Sequence, residues 1–117
     1  MELKRAVHRL TTPVHELDRE QLTDFCDECG LTPITDMVER TQVRIGGEVR
    51  SVRVVPRAGA PALEVTITDG RGTATAVFLG RRKIAGMAPG RRVAVQGVVA
   101  SIANRNLIFN PLYTLFP

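Results

Sequence analysis

The run Val43-Arg44-Ile45-Gly46-Gly47-Glu48-Val49-Arg50-Ser51-Val52-Arg53-Val54 decides the fold. Its apolar residues recur with a period of two, the repeat of a strand with one buried face. Val43, Ile45 and Val49 share one parity, and Arg44, Glu48 and Arg50 share the other. Beyond Ser51 the parity flips, with Val52 and Val54 apolar and Arg53 polar. A flip inside one strand moves every later side chain to the opposite face unless a bulge absorbs it. Gly46-Gly47 adds a place where the backbone bends easily. The segment therefore predicts a long first strand that bends and serves both halves of a curved sheet.

Downstream, the alternation continues. Leu63, Val65 and Ile67 against Glu64, Thr66 and Thr68 predict a second strand, and Asp69-Gly70 is a strong hairpin signal. Thr73 to Leu79 predicts a third strand, with Ala74, Ala76 and Phe78 inward. Residues 80–90 break the pattern with Gly80, Gly86 and Pro89-Gly90, so a short helix or turn is expected there. The fourth strand is expected at about Arg92 to Ser101. Ala103-Asn104-Arg105-Asn106 then turns into a fifth, Leu107 to Leu115.

An open sheet of five short strands would leave two bare edges and one exposed apolar face. Closing it into a barrel removes both problems. Five strands with an irregular link between the third and fourth describe an OB-type barrel over residues 41–117.

Upstream, residues 1–40 read as one or two α-helices packing on that barrel. Leu3, Ala6, Val7 and Leu10 fit one helix face. Thr12-Pro13 supplies a cap and a first-turn proline for a second helix. That helix gathers Val14, Leu17, Leu22, Phe25, Cys26 and Cys29 on one side and stops at Gly30.

The chain has 117 residues, enough for one domain-sized core. It has no apolar run of membrane-spanning length, and the charged start MELKRAVHRL has no apolar signal core. A cytoplasmic protein is expected, and two cysteines do not make a disulfide framework.

Net charge is +4, but the halves differ sharply. Residues 1–40 hold five basic and nine acidic side chains, 5 − 9 = −4. Residues 41–117 hold eleven basic and three acidic ones, 11 − 3 = +8. A basic body predicts a polyanionic partner.

Four stretches also carry a resemblance. Val43 to Val52 resembles the V-x-V-x-G-x-V-x-x-V first strand of OB-fold nucleic-acid-binding domains, whose best-known branch is the tRNA-anticodon-binding type. Thr68-Asp69-Gly70-Arg71-Gly72-Thr73 resembles that group's D-G-x-G hairpin. Phe78 to Gly86 and Asn110-Pro111-Leu112-Tyr113 are similar to small stand-alone bacterial OB-fold proteins of unknown role. The resemblance implies a barrel that binds single-stranded DNA or RNA, with no catalytic domain. It also implies base-stacking aromatics on strands two and three, where this chain has Glu64, Thr66, Thr73 and Thr75.

The candidate nucleic-acid-binding residues follow. Arg44, Arg50 and Arg53 project from strand one, and Arg57 lies in the loop from Pro56 to Pro61. Arg71 and Arg105 sit at the 2–3 and 4–5 hairpins, and Thr66 and Thr75 lie on the outward face between them. Arg57 and Arg105 are expected to flank the groove used by OB barrels. Arg81, Arg82 and Lys83, with Arg91-Arg92, form a second basic cluster suited to a groove extension or a protein contact.

Cys26-Asp27-Glu28-Cys29 matches a C-x-x-C, but zinc needs four ligands and only His8 and His15 remain. Both cysteines fall on the apolar helix face, so packing is expected, with no metal and no cofactor. His8 and His15 have no catalytic constellation around them. Tyr113 is expected to pack the front helices or to offer a stacking ring. The expected function is binding without catalysis, largely independent of sequence. The alternative is a protein-interaction or regulatory module, with the acidic helices shielding the barrel or recruiting a partner.

Overall fold

The computed structural model describes residues 14–117. The helix expected at Leu3–Leu10, His8, and the Thr12-Pro13 cap lie outside the described residues. The described elements are α1 (Val14–Glu28), a 3-10 turn (Ile34–Asp36), β1 (Gln42–Arg57), β2 (Ala60–Thr68), β3 (Thr73–Leu79), β4 (Arg92–Ile102), β5 (Arg105–Phe109) and β6 (Leu112–Leu115).

The sheet runs β1-β2-β3-β5-β4, and β4 returns to β1, so it closes. Every adjacent pair is antiparallel except β3 with β5. This is an OB-type barrel, as the strand spacing predicts.

β1 does what its parity flip requires. Gln42 to Glu48 pairs with β4, and Glu48 to Arg57 pairs with β2, so Glu48 sits in both ladders. The register jumps between Val49 and Ser51, leaving Arg50 as the bulged residue. Before the bulge Ile45 and Val49 point inward; after it Val52 and the facing Val65 do. The bend needs glycine for a second reason. A Cβ on Gly46 would collide with the Val93 carbonyl oxygen, and one on Gly47 with that of Thr68. Gly47 also has φ +143°, a region disfavoured for side-chain-bearing residues.

The core holds Ile45, Val49, Leu63, Val65, Ile67, Ala74, Ala76, Phe78, Val93, Val95 and Ile108. Residues 80–90 form turns rather than a helix, and they send Ile84 and Met87 into this core. Ile34 of the 3-10 turn joins it as well.

The fifth strand differs from expectation. It begins at Arg105 and breaks at Asn110-Pro111, because proline has no N–H for the ladder and Asn110 takes φ +49°. β6 then leaves β5 and pairs with Val93 to Gln96 of β4.

α1 ends in a Schellman motif. Leu31 N–H donates to Cys26 O (3.0 Å), Gly30 N–H donates to Asp27 O (3.1 Å), and Gly30 has φ +67°. The helix docks on the outer side of the β1/β4 bend. Cys26 and Leu31 bury against Ala94, with Phe25 meeting Phe116 edge to face at 5.1 Å between centroids. Arg92 stacks over the Phe25 ring. Phe116, not Tyr113, joins helix to barrel; Tyr113 instead packs edge-on against Phe78.

Asp69 ties the 2–3 hairpin to the front segment. It is 1% exposed, and its carboxylate accepts from the N–H groups of Ile34 (2.8 Å), Arg71 (2.8 Å) and Gly72 (2.9 Å). The Asp-Gly signal therefore marks more than a turn: its side chain fixes the 3-10 turn over the barrel end.

Candidate functional site

The outer face of β2 and β3 carries a ladder of cross-strand pairs: Thr68 with Thr73, Thr66 with Thr75, Glu64 with Val77. Sequence alternation places Glu64 outward, where a carboxylate meets water. The structure buries it to 4% exposure. Three arginines from two strands do this, Arg53 and Arg57 of β1 and Arg105 of β5. Arg57 donates from Nε (3.3 Å) and Nη2 (3.1 Å) to Glu64 Oε2. Arg105 Nη2 lies 3.4 Å from Glu64 Oε1 and the same distance from Thr75 Oγ1. Arg53, directly across from Glu64 in the β1–β2 register, completes the set at 3.7 Å.

Arg57 reaches this point because it is not in a loop. The β1–β2 connection is only Ala58-Gly59, with φ values of +49° and +79°, a tight two-residue turn. Arg57 is the last residue of β1, and its side chain lies along the sheet with its guanidinium carbon 5.5 Å from the centre of the Phe109 ring. Arg105 is presented by a similar turn, Ala103-Asn104, with φ values of +51° and +62°. Both hairpins therefore aim an arginine inward over one face.

The floor beneath is apolar. Ala62, Val77 and Leu107 are outward-facing yet buried, packed with Ala100 and Phe109. Phe109 on β5 is the aromatic that the sequence reading missed, since it considered only strands two and three. The alternation Leu107-Ile108-Phe109 carries the signal: Ile108 enters the core, so its neighbours face out.

Charge at the cluster is three guanidiniums against one carboxylate, 3 − 1 = +2. The carboxylate is enclosed, whereas the Arg53 and Arg105 side chains remain 65% and 47% exposed. Glu64 thus holds the arginines converged without cancelling them. Such a centre can bind an anion through several N–H donors at once.

The remaining sequence candidates lie elsewhere. Arg44 is exposed on the β1–β4 wall, opposite Gln96. Arg50 pairs with Glu48 at 3.3 Å, and Arg71 makes a two-pronged pair with Asp27 of α1 at 3.1 and 3.3 Å. Arg81, Arg82 and Lys83 are exposed where the link leaves β3. Gly80 N–H donates to Pro61 O (2.8 Å), which sets the start of this run beside the β1–β2 hairpin.

Cys26 is 2% exposed, and its thiol donates to Gly46 O at 3.6 Å. Burial, helped by the negative charge of Asp69, pushes the thiol up to about 11. It packs as a small apolar side chain.

No known protein family matches the chain as a whole or in part, and no curated protein matches it. Among solved structures it is similar to a chain of a replication protein A heterotrimer bound to single-stranded DNA. That likeness has a TM-score of 0.52 at 19% identity, over 68% of this chain and 61% of the other. The chain therefore spans less than two thirds of that relative, and at this identity the likeness establishes the OB-type fold.

Proposed function

We propose that this chain is a nucleic-acid-binding OB module, working in the cytoplasm without catalysis. It holds single-stranded DNA or RNA, or an irregular RNA such as an anticodon-type loop, across the outer face of β2, β3 and β5. The observation that carries this reading is the convergence of Arg53, Arg57 and Arg105 on Glu64 between two hairpins. That face is also the one OB barrels use for oligonucleotides. The DNA-bound state of the structurally similar protein supports it.

In this reading the arginines neutralise phosphates, and Phe109 offers a partly exposed ring at the groove edge. With so few aromatics, affinity comes mainly from charge and discriminates little between sequences.

The test is a titration of labelled single-stranded DNA, single-stranded RNA and duplex at 50 and 200 mM salt. Three phosphate contacts on a single strand predict a log–log salt slope near −2, so affinity falls by roughly 20-fold over that range. Arg57→Ala and Arg105→Ala each flatten the slope by about 0.7. Binding that ignores both salt and these substitutions refutes the mechanism. No binding of any of the three at 50 mM salt leaves the protein-docking alternative.

A further inference from the structure

A second cationic recess lies along the same face, and α1 builds one of its walls. It encloses about 280 Å³ between the helix and the β2–β3 hairpin, and is lined by Arg19, Arg50, Arg71, Thr68 and Thr73. We propose that this recess is a phosphate subsite that extends the β2–β3 groove, with Arg19 of α1 contributing directly. The proposal rests on the nucleic-acid reading above.

Three observations lead here. First, the recess lies in line with the groove, at the far end of the same strand pair. Thr68 and Thr73 form one cross-strand pair, Thr66 and Thr75 the next, and Glu64 with Val77 the one after. Thr68 lies four residue steps along β2 from Glu64, which is about 13 Å at the usual strand rise. An extended polyanion laid on the threonine ladder therefore meets one cationic centre at each end.

Second, the helix is fixed in register with the hairpin. Thr23 Oγ1 donates to Asp69 O at 3.3 Å, and Arg71 pairs with Asp27. Gly70 packs so closely on α1 that a Cβ there would come within 3.0 Å of Arg19 Cγ and Arg19 O. The stem of Arg19 thus lies over the hairpin.

Third, one guanidinium of the recess is left over after its ion pairs are counted. Arg50 is matched by Glu48 and Arg71 by Asp27, whereas Arg19 has no ion pair with a described carboxylate. The buried Asp69 carboxylate of the same hairpin is taken up by three backbone N–H groups. The hairpin N–H groups of Gly70, Arg71 and Gly72 are already used by Thr68 and Asp69. An incoming phosphate is therefore held by guanidiniums and the Thr73 hydroxyl rather than by backbone. Although the front segment is acidic as a whole, it supplies a cation at this contact.

Fluorescence anisotropy with a labelled twelve-nucleotide oligothymidylate and the full chain tests this. Arg19→Ala weakens binding about 4-fold at 0.15 M salt and flattens the salt slope by about 0.7, as Arg57→Ala does. Arg19→Lys keeps the charge and restores the parental slope. If Arg19→Ala matches the parent while Arg57→Ala weakens binding, the subsite is refuted and the groove stands. If neither variant changes binding, both readings fall. Parental helix content and melting in Arg19→Ala confirm that the loss is local; a reduced melting temperature with an unchanged slope overturns the proposal.

Discussion

Glu64→Gln sets stability against binding. The substitution keeps shape and volume but removes the one negative charge that Arg53, Arg57 and Arg105 share. The Arg57 contact counts most, because that side chain is 29% exposed and donates twice to one oxygen. Arg53 and Arg105 are largely screened by water. A charge pair at this distance in a medium of effective dielectric about 20 is worth roughly 4 kcal/mol before desolvation is subtracted. The freed guanidiniums can turn to solvent, so the net loss is about 1–3 kcal/mol. For a domain of this size that lowers Tm by roughly 5–15 °C. Meanwhile the groove charge rises from +2 to +3. One additional neutralised phosphate steepens the single-strand salt slope by about 0.7. If the two proteins converge at 1 M salt, Glu64→Gln binds about 4-fold tighter at 0.15 M and about 8-fold tighter at 0.05 M. Calorimetric melting and anisotropy on the same preparations read both effects. Weaker binding with lower stability would show that the carboxylate aims the arginines more than it offsets them. That result refutes the charge argument.

Asp69→Ala leaves three N–H groups without their acceptor and costs about 3–5 kcal/mol, read by urea unfolding. Asp69→Asn costs less, since one oxygen is retained, but still turns an amide donor toward either Ile34 or the hairpin. Gly46→Ala forces β1 and β4 apart and costs about 4 kcal/mol or more, read as loss of the cooperative melt. The Cys26 thiol, raised from 9.0 to about 11, gives a folded state that favours its neutral form. Its contribution is complete below pH 9 and is lost as pH rises toward 11. Denaturant unfolding at pH 8, 9.5 and 11 follows this decline, which Cys26→Ala should lessen.

The strand layout was legible because its signals are local. The parity flip marked the bulge at Arg50, and the Asp69-Gly70 dipeptide marked the 2–3 turn. The break at Asn110-Pro111 was equally local, yet an apolar run from Leu107 to Leu115 masked it. Alternation also gave the correct face for Glu64 but the wrong environment. Its burial depends on Arg53 and Arg57, which the β1–β2 hairpin brings beside it, and on Arg105, which lies 41 residues away and meets it only after closure. Likewise Ile84 and Met87 belong to a segment with no period, so nothing in the sequence marks them as fillers of the barrel.

The parallel contact of β3 with β5 spans only Thr75 to Val77 against Leu107 to Phe109. It is the shortest ladder in the closed circuit and joins segments about thirty residues apart, so it is the natural seam of the barrel. Arg105 reaches across this seam to Glu64, and the proposed groove lies over it. A bound strand would therefore act as a clasp, and amide protons beside the seam would exchange more slowly once the clasp is in place.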